Sequence, residues 1–194
     1  TNLTEALSLA VLDLAEKADV VLDLHSAGQA RYWPHIIYYR PQDAEWAAEL
    51  LEEQRQQSRH GDFRCAGIGR DRAFLLDAQT RGDQILWLDA GKARPAQQQY
   101  LALLEDLRQA VNRDLYLGLH TLETHAANYP PGGFYRRHLD AFRRDNLRML
   151  TITLYLNPRW HARDGGALRL FLDAQSDGDF VDVLPESGRL VTFL

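Results

Sequence analysis

Beyond Leu119 the chain breaks into short runs of β-forming residues, each closed by a turn signal, and this punctuation limits the possible folds more than any other feature. The runs cover residues 123–129, 133–138, 149–156, 167–172, 180–184 and 189–194. Between them stand Pro130-Pro131-Gly132-Gly133, Asn157-Pro158, Asp164-Gly165-Gly166, Asp177-Gly178-Asp179 and Ser187-Gly188. These residue types either preset or free the backbone torsion that a tight turn needs. Strands so short and so closely spaced predict an antiparallel sandwich or jelly roll.

The earlier part of the chain follows a different pattern. Leu3, Ala6, Leu7, Ala10, Val11 and Leu14 recur at helical spacing, so residues 3–15 are expected to form an amphipathic helix capped by Thr1 or Asn2. Residues 19–24 and 35–39 read as strands, which makes the opening α/β. A polar helix is expected over residues 43–59, with Gly61 close to its end. Residues 61–80 carry glycines, arginines and little periodicity and read as irregular, residues 83–88 as a short strand. Pro95 suits the first turn of a helix running to about Arg113.

With 194 residues the chain can bury one sizeable core, or one core and a smaller unit. A net charge of −5, with Lys and Arg interleaved among acids, argues against a nucleic-acid partner. No apolar run approaches the ~20 residues of a membrane span, so no membrane partner is expected. Cys65 is the single cysteine, which excludes an intramolecular disulfide and fits a reducing cytoplasm. Its thiol is expected to be buried. A first residue that is Thr rather than Met, and a last apolar run, residues 190–194, that stops without a turn, read as a frame cut at both ends. An unfinished last strand would present an open edge, and self-association through it is expected.

Among residues that carry chemistry, His138-Leu139-Asp140 stands out. On a strand, alternate side chains share a face, so imidazole and carboxylate would point together into a barrel. Two histidines and one carboxylate on Fe(II) leave cis positions open for a bidentate oxoacid and O₂. The spacing alone is weak, because seven histidines generate such pairs by chance. His60-Gly61-Asp62 is one, and it reads as the end of a polar helix.

Several segments in order carry a wider resemblance. They are Ala66-Gly67-Ile68-Gly69-Arg70, Arg81-Gly82-Asp83-Gln84-Ile85-Leu86-Trp87-Leu88, Asn128-Tyr129-Pro130, and Gly133-Phe134-Tyr135-Arg136-Arg137-His138-Leu139-Asp140. Leu154-Tyr155-Leu156-Asn157, Trp160, Gly165-Gly166-Ala167-Leu168-Arg169-Leu170-Phe171, Pro185 and Gly188-Arg189-Leu190 follow. Over residues 61–194 the chain resembles the prolyl-hydroxylase-like Fe(II)/2-oxoglutarate-dependent oxygenases. The resemblance implies a double-stranded β-helix with His138 and Asp140 on Fe(II), and Tyr129 and Tyr135 at the 2-oxoglutarate cosubstrate. Ascorbate would serve as accessory reductant. It implies hydroxylation of a peptidyl proline or similar side chain of a protein or peptide substrate. Arg81 and Asp83 would act over the site entrance, with Asp83 paired to Arg148. Read without the resemblance, Arg81 and Asp83 are a solvated turn.

Two departures from the family pattern are visible. Its distal histidine and cosubstrate-anchoring arginine fall beyond Leu194, so the chain is expected to be an inactive fragment with weakened metal affinity. Leu154 stands where animal oxygen-sensing relatives carry a tyrosine.

Residues 2–48, through Ala18-Asp19-Val20-Val21-Leu22-Asp23-Leu24-His25-Ser26-Ala27-Gly28, resemble instead the aspartoacylase/succinylglutamate desuccinylase zinc hydrolases, in which the histidine of Asp-Leu-His binds zinc. The partners such a site needs are not in matching context, which leaves His25 a hydrogen-bonded histidine at a strand end. The expected class is thus α+β: a jelly roll with flanking helices over residues 54–194, preceded by a short α/β segment over residues 1–53. The rival readings are a zinc-dependent amidohydrolase or carboxypeptidase-like protein using His25, and a catalytically dead binding module. His35, His120, His125 and His161 read as structural or surface residues, with His125 sharing the face of Tyr129. Tyr32, Trp33, Tyr38 and Tyr39 read as packing, and Glu52 and Glu53 as a solvated helix face.

Overall fold

The computed structural model describes residues 20–22, 35–38, 44–69, 74–140, 149–172 and 178–193. The helix expected over residues 3–15, the loop carrying His25, and Arg148 lie outside them. The chain divides into two compact units that are discontinuous in sequence, unlike the contiguous division at residues 53 and 54 read above. One comprises residues 1–48, 108–119 and 140–194, the other residues 49–107 and 120–139.

In the first unit, β1 (Val20–Leu22), β2 (His35–Tyr38), β6 (Thr151–Leu154) and β9 (Arg189–Phe193) form one sheet in the order β1-β2-β9-β6. Every pairing in it is antiparallel. Strand β9 is therefore internal: Ile37 and Leu154 both face Leu190 in register. This corrects the open-edge expectation. The backbone donors and acceptors of residues 189–193 are taken by β2 on one side and β6 on the other, so this strand offers no edge for self-association. The internal position also explains burial, since Arg189, Leu190 and Val191 are all buried. Gly188 lets the preceding turn close with a φ of 80°. The strands β7 (Leu168–Phe171) and β8 (Phe180–Val183) form a separate antiparallel pair.

In the second unit, β3 (Arg64–Cys65), β4 (Gln84–Trp87) and β5 (His125–Asn128) form an antiparallel sheet in that order. Cys65, expected to be buried, is exposed on the short β3. Helix α1 (Ala44–Arg59) enters this unit at residue 49. It ends at Gly61, whose φ of 76° permits the left-handed stop. The N–H of Asp62 donates to the Gln57 carbonyl and that of Gly61 to Ser58, both at 3.0 Å. His60 and Asp62 thus stand, exposed, at the end of a helix, as their surroundings suggested.

Helix α2 (Pro95–Leu115) buries Ala96, Gln97, Tyr100, Leu104, Leu107 and Val111, which recur at three and four along one face. Its start is held by α1: the Glu53 carboxylate accepts from the N–H groups of Ala96 and Gln97, each at 3.1 Å. These are donors that a helix leaves unpaired and that carry the positive end of its dipole. Glu53 is therefore half-buried in a structural role rather than solvated, whereas Glu52 is exposed and paired with Arg59 at 2.8 Å. The Gln97 side chain returns to the N–H of Arg94 at 3.1 Å, closing the cap from inside the helix. Helices with antiparallel sheets are present among the described residues, so the α+β class holds. Among the described residues no helix is long and apolar enough to cross a membrane.

Candidate functional site

Residues 133–138, expected to be a strand, are not one. Pro130 to Gly133 makes a tight turn, with the N–H of Gly133 on the Pro130 carbonyl at 2.7 Å and Gly132 at a φ of 79°. After it, among the described residues, a single antiparallel bridge forms, between Arg81 and Tyr135. Its rungs are Gly82 N–H to the Phe134 carbonyl at 2.8 Å and Arg136 N–H to the Thr80 carbonyl at 2.9 Å. Residues 136–140 are irregular, so strand alternation is not what aims His138 and Asp140.

The partner segment is itself rigid. Asp77 accepts from the Thr80 hydroxyl at 2.7 Å and from the Gln79 N–H at 3.0 Å. The Thr80 hydrogen bond, followed by that of Gln79, holds the Asp77 carboxyl below the usual carboxylate range. The turn delivers Arg81 to a bidentate pair with Asp83, Nε to Oδ1 at 2.7 Å and Nη2 to Oδ2 at 2.9 Å. The Asp83 side chain is 0% exposed and that of Arg81 15%. The reading of these two as a solvated turn is corrected by that burial, and the Asp83 backbone is held as well, its carbonyl accepting from the Ala66 N–H at 3.0 Å. Burial works against the Arg81 charge, but the Asp83 hydrogen bond and charge outweigh it and raise the guanidinium above its ordinary value. The expected Asp83–Arg148 pair lies outside the described residues, and Asp83 is held by Arg81.

The Arg81 guanidinium lies over the Tyr135 ring, 4.5 Å from its centroid. On Tyr135 stacks the His138 imidazole, with centroids 3.6 Å apart and planes at 20°. His138 is exposed, and its Nδ1 is 2.7 Å from the Arg136 carbonyl. A carbonyl only accepts, so Nδ1 carries the proton and the neutral ring keeps its lone pair on Nε2. Tyr129 follows β5 and is 48% exposed.

Asp140 belongs to the other unit. It is half-buried, and its Oδ2 accepts from the Thr151 hydroxyl at 2.7 Å. Thr151 was missed in the sequence, where a threonine at the head of a strand carries no signal of such a role. Both donors have the chemistry of metal ligands, each braced by a hydrogen bond of the kind that orients them. Among the described residues no group of three or more His, Cys, Asp or Glu side chains is gathered for a metal. His125, exposed, meets Trp87 edge-on at 4.9 Å across β4 and β5. His161, read as a structural or surface residue, is exposed and faces Asp164 at 3.4 Å within a single helical turn.

Comparison with known proteins supplies the context. The model of the 2OG-Fe(II) oxygenase superfamily matches residues 124–194. The crystal structure of a Pseudomonas putida prolyl-4-hydroxylase is 40% identical, with a TM-score of 0.72, and the match covers 97% of this chain and 86% of that one. A Trichoplax adhaerens prolyl hydroxylase, solved with a peptide fragment of the hypoxia inducible factor oxygen degradation domain, shares the fold at 21% identity and a TM-score of 0.68. That match covers 98% of this chain and 80% of the other. Fe(II) as cofactor and 2-oxoglutarate as cosubstrate come with the family. The match spanning both the turn-punctuated C-terminal half and the residues before it makes this chain a member of the 2OG-Fe(II) oxygenases of the prolyl-hydroxylase type.

Proposed function

We propose that the chain hydroxylates a prolyl residue of a peptide or protein, within a jelly roll to which the sheets of β6 to β9 contribute. The 40% identity to a bacterial prolyl-4-hydroxylase across 97% of this chain carries the reading. The peptide held by the Trichoplax relative supports a peptidyl substrate. The protein works in the cytoplasm, with ascorbate keeping the iron ferrous.

In this reading His138, through Nε2, and Asp140, through its carboxylate, would hold Fe(II). Bound iron and 2-oxoglutarate supply the oxidising chemistry, in which O₂ is consumed as the cosubstrate is oxidatively decarboxylated. The protein's own residues do the placing. The Arg136 carbonyl holds the His138 proton on Nδ1, the Thr151 hydroxyl orients the Asp140 carboxylate, and Tyr129 and Tyr135 line the cosubstrate pocket. Arg81 and Asp83 stiffen the loop beside them.

Titration of the chain with 2-oxoglutarate in the presence of Mn(II) is expected to show binding, and whatever turnover the chain sustains with Fe(II) and proline-containing peptides should add one oxygen atom to a proline, with succinate formed in step, by mass spectrometry. His138→Ala and Asp140→Ala should abolish both products. No oxygen addition together with no 2-oxoglutarate binding, measured with Mn(II) in place of Fe(II), would sink the proposal.

A further inference from the structure

We propose that Asp77 is a positioning residue for Tyr135, acting through the turn that it organises. The proposal rests on the reading of Tyr135 as a residue of the 2-oxoglutarate pocket.

Tyr135 stands in no helix or strand and is half-buried. Its backbone is tied on both sides to one short segment. The Phe134 carbonyl accepts from the Gly82 N–H at 2.8 Å, and the Arg136 N–H donates to the Thr80 carbonyl at 2.9 Å. The Arg136 side chain repeats the attachment, with its Nε donating to the Gln79 carbonyl. The place of Tyr135 is thus coupled to the shape of residues 79–82.

That shape comes from Asp77. Its carboxylate accepts from the Gln79 N–H at 3.0 Å and from the Thr80 hydroxyl at 2.7 Å. Its carbonyl accepts from the N–H groups of Thr80 at 3.0 Å and Arg81 at 2.9 Å. One residue so gathers four hydrogen bonds from the three residues 79–81. An aspartate bonded to the N–H two positions on imitates a backbone turn and restricts the chain that follows. Ala78 and Gln79 are exposed, so packing does little to shape this turn and the bonds to Asp77 do most of it. The same turn carries Arg81, whose guanidinium lies 4.5 Å from the Tyr135 centroid. A binding group displaced by about 1 Å can cost about a hundredfold, so a turn that is loosened rather than broken is expected to cost about tenfold.

The test uses the whole chain and two readouts. Without metal, proton NMR of the Tyr135 ring reads where it is held, because the His138 imidazole stacked on it at 3.6 Å shifts its signals. With Mn(II), calorimetric titration reads the affinity for 2-oxoglutarate. Asp77→Ala removes both carboxylate acceptors, and should move the Tyr135 signals toward those of an exposed tyrosine and weaken 2-oxoglutarate binding about tenfold. Asp77→Asn keeps an acceptor for Gln79 and a polar partner for Thr80, and should return both readouts to within about twofold of the parent. Hydrogen exchange at Ala96 and Gln97 should stay parental throughout, which separates a local shift from lost stability. If circular dichroism shows that Asp77→Ala does not fold, Thr80→Val decides, since it removes the hydroxyl and keeps the shape; a weakening of about threefold is expected. The role requires both readouts to move. If either stays parental in every variant that folds, while Tyr135→Ala weakens binding, the positioning role is overturned. Parental 2-oxoglutarate affinity in Tyr135→Ala overturns the pocket reading instead.

Discussion

Replacing Thr151 by Val asks whether Asp140 is held for a metal. Valine matches threonine in shape and in strand preference, so β6 and its register with β9 should survive, Thr151 still opposite position 193. What disappears is one O–H donor at 2.7 Å from a carboxylate oxygen. A hydrogen bond to a charged group is worth about 1.5–3 kcal/mol when water is excluded. Asp140 is only half-buried, so water replaces much of it, and a loss of about 1 kcal/mol in stability is expected. Metal binding should suffer more, because a carboxylate released from its orienting partner must be ordered again by the metal. Loss of such a partner costs about tenfold or more in affinity, ~1.4 kcal/mol. Mn(II) titration calorimetry with 2-oxoglutarate present, beside a urea unfolding curve, measures both quantities. A variant whose Mn(II) affinity stays within about twofold of the parent, with Asp140 still required for binding, refutes the orienting role of Thr151.

Two further outcomes follow from the second unit. Glu53→Ala removes the acceptor for two N–H groups at the start of α2 and should cost about 1–2 kcal/mol, with Glu53→Gln in between. Hydrogen exchange at Ala96 and Gln97 checks it, and unchanged protection would contradict the cap. Burial raises the Tyr100 hydroxyl above 10.0, against an opposing hydrogen bond from Thr124. A raised folded value favours the neutral form, so this stability is intact below about pH 10 and is lost as pH climbs past it. Alkaline titration followed by tyrosinate absorbance and circular dichroism should show coupled unfolding that Tyr100→Phe shifts to higher pH. An identical alkaline midpoint in that variant would remove Tyr100 from the account.

The elements themselves were legible because their signals are local. Pro95 opens α2 as its ring demands, Gly61 closes α1, and residues 151–154, 168–171, 180–183 and 189–193 lie inside the runs that periodicity marked. Pairing was not legible. No local pattern tells β2 that its partner is β9, about 150 residues later, yet that pairing turns a supposed open edge into a central strand. Glu53 failed for a similar reason. A carboxylate on the polar face of a helix is solvated unless another helix begins beside it, and only the fold says where α2 begins.

The sequence offered His138 and Asp140 as candidate donors, but not what surrounds them. Expecting His138 and Asp140 to converge by strand alternation asks the backbone to aim the side chains, which requires a regular ladder that the Pro130 to Gly133 turn leaves no room to build. On an irregular segment aiming passes to neighbours: the Arg136 carbonyl and Tyr135 ring for the imidazole, the Thr151 hydroxyl for the carboxylate. Such neighbours leave no periodic trace, so a search by spacing finds the donors and misses what orients them. The spacing of Arg81 and Asp83 is equally consistent with an open turn, and only the burial of the Asp83 side chain and its bidentate pair with Arg81 show otherwise.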